Sequence, residues 1–246
     1  MTHDGESPRA WRAVLEHVER RLLDGDLLPG ERLPGERALA ADLGVGRSSV
    51  REALRVLEAM GLIRTASGSG PNAGAIIVAT PGGAMSALMR LQVAAHGFPV
   101  ADIVRTRLIL ETSVAGELAD AASGTGTAPD LDAAERLLDA MDSPDLEPAE
   151  FLALDAAFHL ALAEASGNQV VTATMAGLRS GIEGYALDGL ARIDDWHATS
   201  ARLRSEHRGV VEAIRAADAA AARSRIHDHI SGYYAETFPE ATPVTA

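Results

Sequence analysis

Between Glu36 and Met60 the chain leaves little freedom of fold. The pattern predicts a short helix from Glu36 to Leu43, a tight turn at Gly44-Val45-Gly46 and a longer helix from Arg47 to Met60. Val50, Ala53, Leu54 and Leu57 share one face of the second helix, which must therefore be buried. Gly61 is a suitable stop. Upstream, Trp11, Val14, Leu15, Val18 and Leu22 form the stripe of another amphipathic helix, ended by Gly25 and the Leu28-Pro29-Gly30 turn. Downstream, Leu62–Thr65 and Ala75–Ala79 read as two short strands around a Gly/Ser-rich tip, Ala66–Gly74. Helix, helix, turn, helix, hairpin is the order of a winged helix-turn-helix.

Pro81-Gly82-Gly83 reads as the boundary, giving domains 1–79 and 80–246. Beyond it every segment reads as helix, over approximately 84–96, 99–122, 130–141, 147–166, 168–191, 195–216 and 219–237. The expected fold class is mainly α, a winged helix-turn-helix followed by an all-α domain. Few aromatics (4%) and abundant Ala agree with that. The lack of cysteine excludes disulfides, thiolate metal sites and cysteine nucleophiles. A polar N-terminus and the lack of a long apolar run point to the cytoplasm and away from a membrane.

A net charge of -13 looks wrong for a DNA binder. The acidity is unevenly placed, however. Residues 1–79 hold ten arginines against eleven acidic residues, and residues 80–246 hold twelve against twenty-four. Local pattern therefore decides. Arg47, Arg51 and Arg55 line one face of the longer helix, with Ser48 and Ser49 at its start. Arginine forks onto guanine edges or phosphate, and a helix start offers free N–H groups to phosphate. On an isolated helix such a row would read as a solvated face paired with Glu52 or Glu58. Here the flanking turn and hairpin favour DNA.

Residues Leu33 to Ile63, LPGERALAADLGVGRSSVREALRVLEAMGLI, resemble the GntR family of bacterial regulators. The resemblance implies DNA contact by Arg37, Arg47 and Arg51, with Ser48 and Ser49 at the family's hydroxyl positions and Gly68 in a minor-groove wing. Gly35 and Gly46 stand where the family has serines, and the tip Ser67-Gly68-Ser69-Gly70 lacks a basic residue.

In the second half, Asp155 and His159 lie one turn apart on one helix, His207 on another and His229 on the last. One carboxylate and three imidazoles would suit a divalent metal if they converged. Spacing alone does not bring them together, and singly each histidine reads as structural or exposed. Residues 100–235 also resemble the FadR-type C-terminal domain, through Arg107-x-x-Leu110-Glu111, Asp155-x-x-Phe158-His159, Ala165-Ser166-Gly167-Asn168, Glu206-His207 and His229. The resemblance implies an antiparallel helical bundle in which Asp155, His159, His207 and His229 hold a metal beside a small effector, often a carboxylate. Zinc is the first expectation; nickel, cobalt or manganese are alternatives. Arg107 is the candidate for the effector carboxylate, with a buried pair to Glu111 as the other reading. Asn168 either donates to the effector or caps the next helix, and the cap is favoured.

The expected function is a homodimeric, ligand-responsive regulator on palindromic operator DNA, a repressor first with an activator as the alternative, and not an enzyme. A fused aminotransferase fails, because the chain has no lysine for a Schiff base. A metal-dependent hydrolase would need a placed general base; Glu164 and Glu206 are present but unplaced. A ligand-free helical interaction module behind a DNA-binding head is the remaining alternative.

Overall fold

The first apolar stripe becomes helix α1 (Ala10–Leu23), whose Val14 and Val18 are buried. They pack against α3 (Arg47–Ala59), which buries Val50, Ala53, Leu54 and Leu57. Between them α2 (Glu36–Leu43) buries Leu39 and Ala40. Gly44 ends α2 at φ 63, a left-handed conformation that a side chain would strain. This computed structural model describes residues 10–66, 74–78, 83–123, 128–143 and 146–239. The wing tip, Gly68 included, and the Pro81-Gly82 step lie outside those residues.

Strands β1 (Ile63–Ala66) and β2 (Gly74–Ile77) pair antiparallel, with Ile63 opposite Ile77 and Thr65 opposite Ala75. A further segment joins them. Ile77 N–H donates to Glu31 O at 2.9 Å and Leu33 N–H to Ala75 O at 2.9 Å. Residues Glu31–Leu33, for which the sequence predicts no element, thus line the second edge of β2.

The second half is helical throughout its described residues. It comprises α4 (Gly83–Ala94), α5 (Val100–Ser123), α6 (Asp132–Met141), α7 (Pro148–Ala165), α8 (Gln169–Gly189), α9 (Trp196–Arg215) and α10 (Ala219–Thr237). α5 lies along α10 and α9, and α7 packs on α6 and α8. Their shared core includes Met141, Phe151, Phe158, Leu203, Ile214 and Ile226. Asp195 and Asp218 cap α9 and α10, accepting from Ala198 N–H at 3.0 Å and Ala221 N–H at 2.9 Å. The chain is therefore mainly α, a helix-turn-helix with a hairpin followed by a helical bundle. It divides into two compact units, residues 1–84 and 85–246. No helix among the described residues is long and apolar enough to cross a membrane.

Candidate metal centre and DNA-binding face

In the bundle, three helices bring one carboxylate and three imidazoles to a point. Asp155 and His159 are one turn apart on α7, His207 comes from α9 and His229 from α10; all four are buried. One ligand atom from each lies within 4.8 Å of the others. Nε2 of His229 is 3.2 Å from Nε2 of His159 and 3.1 Å from Nε2 of His207. Asp155 Oδ1 is 3.0 Å from His207 Nε2.

Two of the outer ring nitrogens face carboxylates. Nδ1 of His229 is 2.8 Å from Glu206 Oε2, and Nδ1 of His159 lies against Glu111 Oε2. A carboxylate at Nδ1 fixes the ring proton there and leaves a lone pair on Nε2. Nε2 of His159 and Nε2 of His229 face each other at 3.2 Å, and both lie beside the Asp155 carboxylate. One carboxylate and three inward imidazole nitrogens form a donor set that fits a divalent metal.

Charge state agrees. Burial, reinforced by His207, pushes His229 down to about 4, and burial also lowers His207, so both are neutral donors near pH 7. Burial disfavours the charge on Asp155, but the hydrogen bond from His207 and the surrounding imidazoles hold it well below the usual carboxylate range.

Beside the cluster lies a cavity of about 10 Å³, room for about one water. Arg107, Asp155, Tyr185, His229 and Tyr233 are among its walls. Arg107 is buried. Its Nε donates to Glu111 Oε1 at 2.7 Å, its Nη1 meets the Tyr185 hydroxyl, and its Nη2 is a buried donor with no partner among the described residues. Arg107 is thus paired with Glu111 and also borders the cavity. Asn168 takes the favoured of its two readings, the cap, and not the effector contact. It is exposed, caps α8 by accepting from Val170 N–H at 3.2 Å and Val171 N–H at 3.3 Å, and does not line the cavity.

Glu111 and Glu206 face the outer nitrogens of His159 and His229, contacts that the sequence alone does not assign. Glu206 also accepts from Arg202 Nη1 at 2.7 Å, so both of its oxygens are engaged. Motif spacing along one helix could not signal Glu111, which reaches His159 from a different helix.

In the head, Arg37, Arg47, Ser48 and Arg51 are exposed on α2 and α3. Ser49 differs. It is only 5% exposed, so its hydroxyl is not part of that surface. Arg51 is tied to Glu36.

Two families match the sequence. The family described as "Bacterial regulatory proteins, gntR family" matches residues 11–71, and the FCD domain matches residues 102–232. The Glc operon transcriptional activator of Escherichia coli strain K12 is 31% identical over 170 residues, 67% of this chain and 64% of that protein; the match thus spans just under two thirds of its length. The putative L-lactate dehydrogenase operon regulatory protein of the same strain is 30% identical over 223 residues, covering 89% of this chain and 82% of that protein. Among solved structures, Streptococcus agalactiae GntR superposes with a TM-score of 0.58 at 25% identity, over 89% of this chain and 96% of that one.

Proposed function

The chain belongs to the GntR family of bacterial regulatory proteins, with an FCD domain behind its DNA-binding head, and from that premise we propose that it is a homodimeric repressor whose grip on a palindromic operator is set by a small carboxylate bound beside a divalent metal. The observation that carries the sensing half is the convergence of Asp155, His159, His207 and His229 next to the unpartnered Nη2 of Arg107. Asp155 and the three Nε2 atoms would hold the ion, zinc being the first choice for a four-ligand N/O set. When bound, it would supply positive charge to the effector's carboxylate oxygens. Arg107 would take the same carboxylate through Nη2.

The cavity as it stands admits about one water. An effector must therefore open it, and the contact between Arg107 and Tyr185 is the closure that has to yield. Such a rearrangement gives the ligand a differential affinity for two states, without which it could not shift operator binding. In the head, Arg37, Arg47 and Arg51 would contact DNA, with Ser48 at the start of α3 and the wing around Gly68 adding the remaining contacts.

A metal-dependent hydrolase is the weaker reading. Glu206 is occupied by His229 and Arg202, which leaves it unsuited to serve as a general base. The deciding experiment is an operator-shift assay on fragments of the neighbouring promoter at fixed moderate salt. It is titrated with zinc and with small organic acids, L-lactate first because one relative is named for an L-lactate dehydrogenase operon. A shifted fragment released by one acid, only when zinc is present, is the expected result. No shifted fragment, or metal-dependent ester hydrolysis by the pure protein, would overturn it.

A further inference from the structure

Glu111 stands between the two halves of the sensor. It is 5% exposed and sits on α5 one turn from Arg107. Its Oε1 accepts from Arg107 Nε at 2.7 Å, and its Oε2 lies against Nδ1 of His159. One buried carboxylate thus faces two partners, Arg107 on its own helix and His159 on α7.

We infer that Glu111 is a positioning residue that couples the anion at Arg107 to the metal at His159, so that each ligand tightens the other. The inference rests on the reading of Asp155, His159, His207 and His229 as a metal site. An anion reaching Nη2 of Arg107 takes up part of the guanidinium's field. The carboxylate of Glu111 is then less compensated and accepts more strongly from the Nδ1–H of His159. That makes Nε2 a better donor, the usual effect of a carboxylate behind a ligating imidazole. In reverse, a cation on Nε2 draws Glu111 toward the ring and frees Arg107 for the anion. Linkage requires both effects to have the same size. A buried Arg–Glu pair kept only for stability would account for neither the third partner nor the unpartnered Nη2 at the cavity wall.

A direct contact between anion and metal would also couple the two ligands, and Glu111→Gln separates the cases. The variant keeps the shape and removes the charge. The full chain is titrated with zinc, with and without whichever of acetate, L-lactate, pyruvate and citrate shifts the melting temperature of the wild type. Wild type is expected to show a coupling of about fivefold or more, equal in both directions. E111Q is expected to bind both ligands, zinc about 10- to 100-fold more weakly, with the coupling reduced to less than about twofold. Weaker zinc binding alone would follow from a structural role, so the coupling factor is the diagnostic. If both ligands bind E111Q with the wild-type coupling, the inference fails and the sensor reading stands. If the wild type binds no zinc, or zinc but none of the acids, the sensor reading fails and takes the inference with it. Should E111Q not fold, Glu111→Asp serves in its place: its carboxylate is too short to span both partners, and the same loss of coupling is required.

Discussion

Arg51 and Glu36 are joined across the helix-turn-helix, Nε of Arg51 donating to Glu36 Oε2 at 2.9 Å. The pair is exposed, at 58% and 39% of the side-chain surface, so it adds only about 0–1 kcal/mol to folding. Its value lies in presentation: it engages Nε and leaves the guanidinium's other nitrogens for a base edge or phosphate. Arg51→Ala is expected to leave the fold intact and cost about 1–3 kcal/mol of operator discrimination. Glu36→Gln removes a negative charge from the same surface. It should raise non-specific DNA affinity and lower the ratio of specific to non-specific binding, measured by fluorescence anisotropy on operator and scrambled duplexes at equal salt. Wild-type operator affinity in Arg51→Ala would remove α3 as the reading helix.

Metal loading should change the second unit far more than the first. The four ligand atoms that would hold the ion all lie within the second unit, within 4.8 Å of one another. Zinc at a hundredfold excess over its dissociation constant is expected to stabilise the chain by about 2.7 kcal/mol, read as a melting shift against chelator-treated protein. His207→Ala should abolish that shift while leaving DNA binding by the effector-free protein intact. A zinc-dependent shift that survives in His207→Ala would place the ion elsewhere.

The contrast between what was legible in the sequence and what was not is physical. The bounds of α2 were readable because Gly35 and Gly44 bracket an eight-residue apolar pattern. Asp155 and His159 were readable as a pair because one helical turn separates them. The β-like segment at Glu31–Leu33 was not, since it is too short for a period and is flanked by Pro29 and Pro34. Nor was the burial of Ser49, a small polar residue whose place on α3 is set by how that helix rolls against α1 and α2. Glu111 was read only against Arg107, its own-helix neighbour; its second partner is on α7 and depends on packing between helices.

Glu58 clamps the end of α3 to the hairpin, and the clamp should be acid-labile. Its Oε1 accepts from Thr65 N–H at 2.8 Å and from Thr65 Oγ1 at 2.6 Å. The side-chain hydrogen bond, then the backbone one, lowers this carboxyl below its ordinary 4.5. A carboxyl lowered in the folded state stabilises it above the unfolded value, and that contribution is lost as pH falls through the folded value. Thr65 amide protection is therefore expected to drop as pH falls below the ordinary 4.5 of the carboxyl, once intrinsic exchange is corrected. In Glu58→Gln it should be lower near neutral pH and flat across that range. Equal acid sensitivity in the variant would show that another group governs the hairpin.

Two glycines on α8, Gly177 and Gly184, should respond differently to the same substitution. A Cβ at Gly177 would lie 2.7 Å from Met89 Cβ on α4, and one at Gly181 would lie 2.8 Å from Val93 Cγ1. Met89 Cβ is fixed to its backbone and cannot swing away, so α4 has to shift. Overpacking of this kind costs about 1–3 kcal/mol, set against a gain of about 1 kcal/mol from replacing a helical glycine with alanine. Gly177→Ala should therefore be neutral to destabilising. At Gly184 nothing lies within 4 Å of the added carbon, so only the propensity gain remains and the substitution should stabilise. Urea denaturation midpoints of the two variants decide the matter. If Gly177→Ala gained as much as Gly184→Ala, α4 would not rest against α8 in solution as closely as the Met89 contact requires.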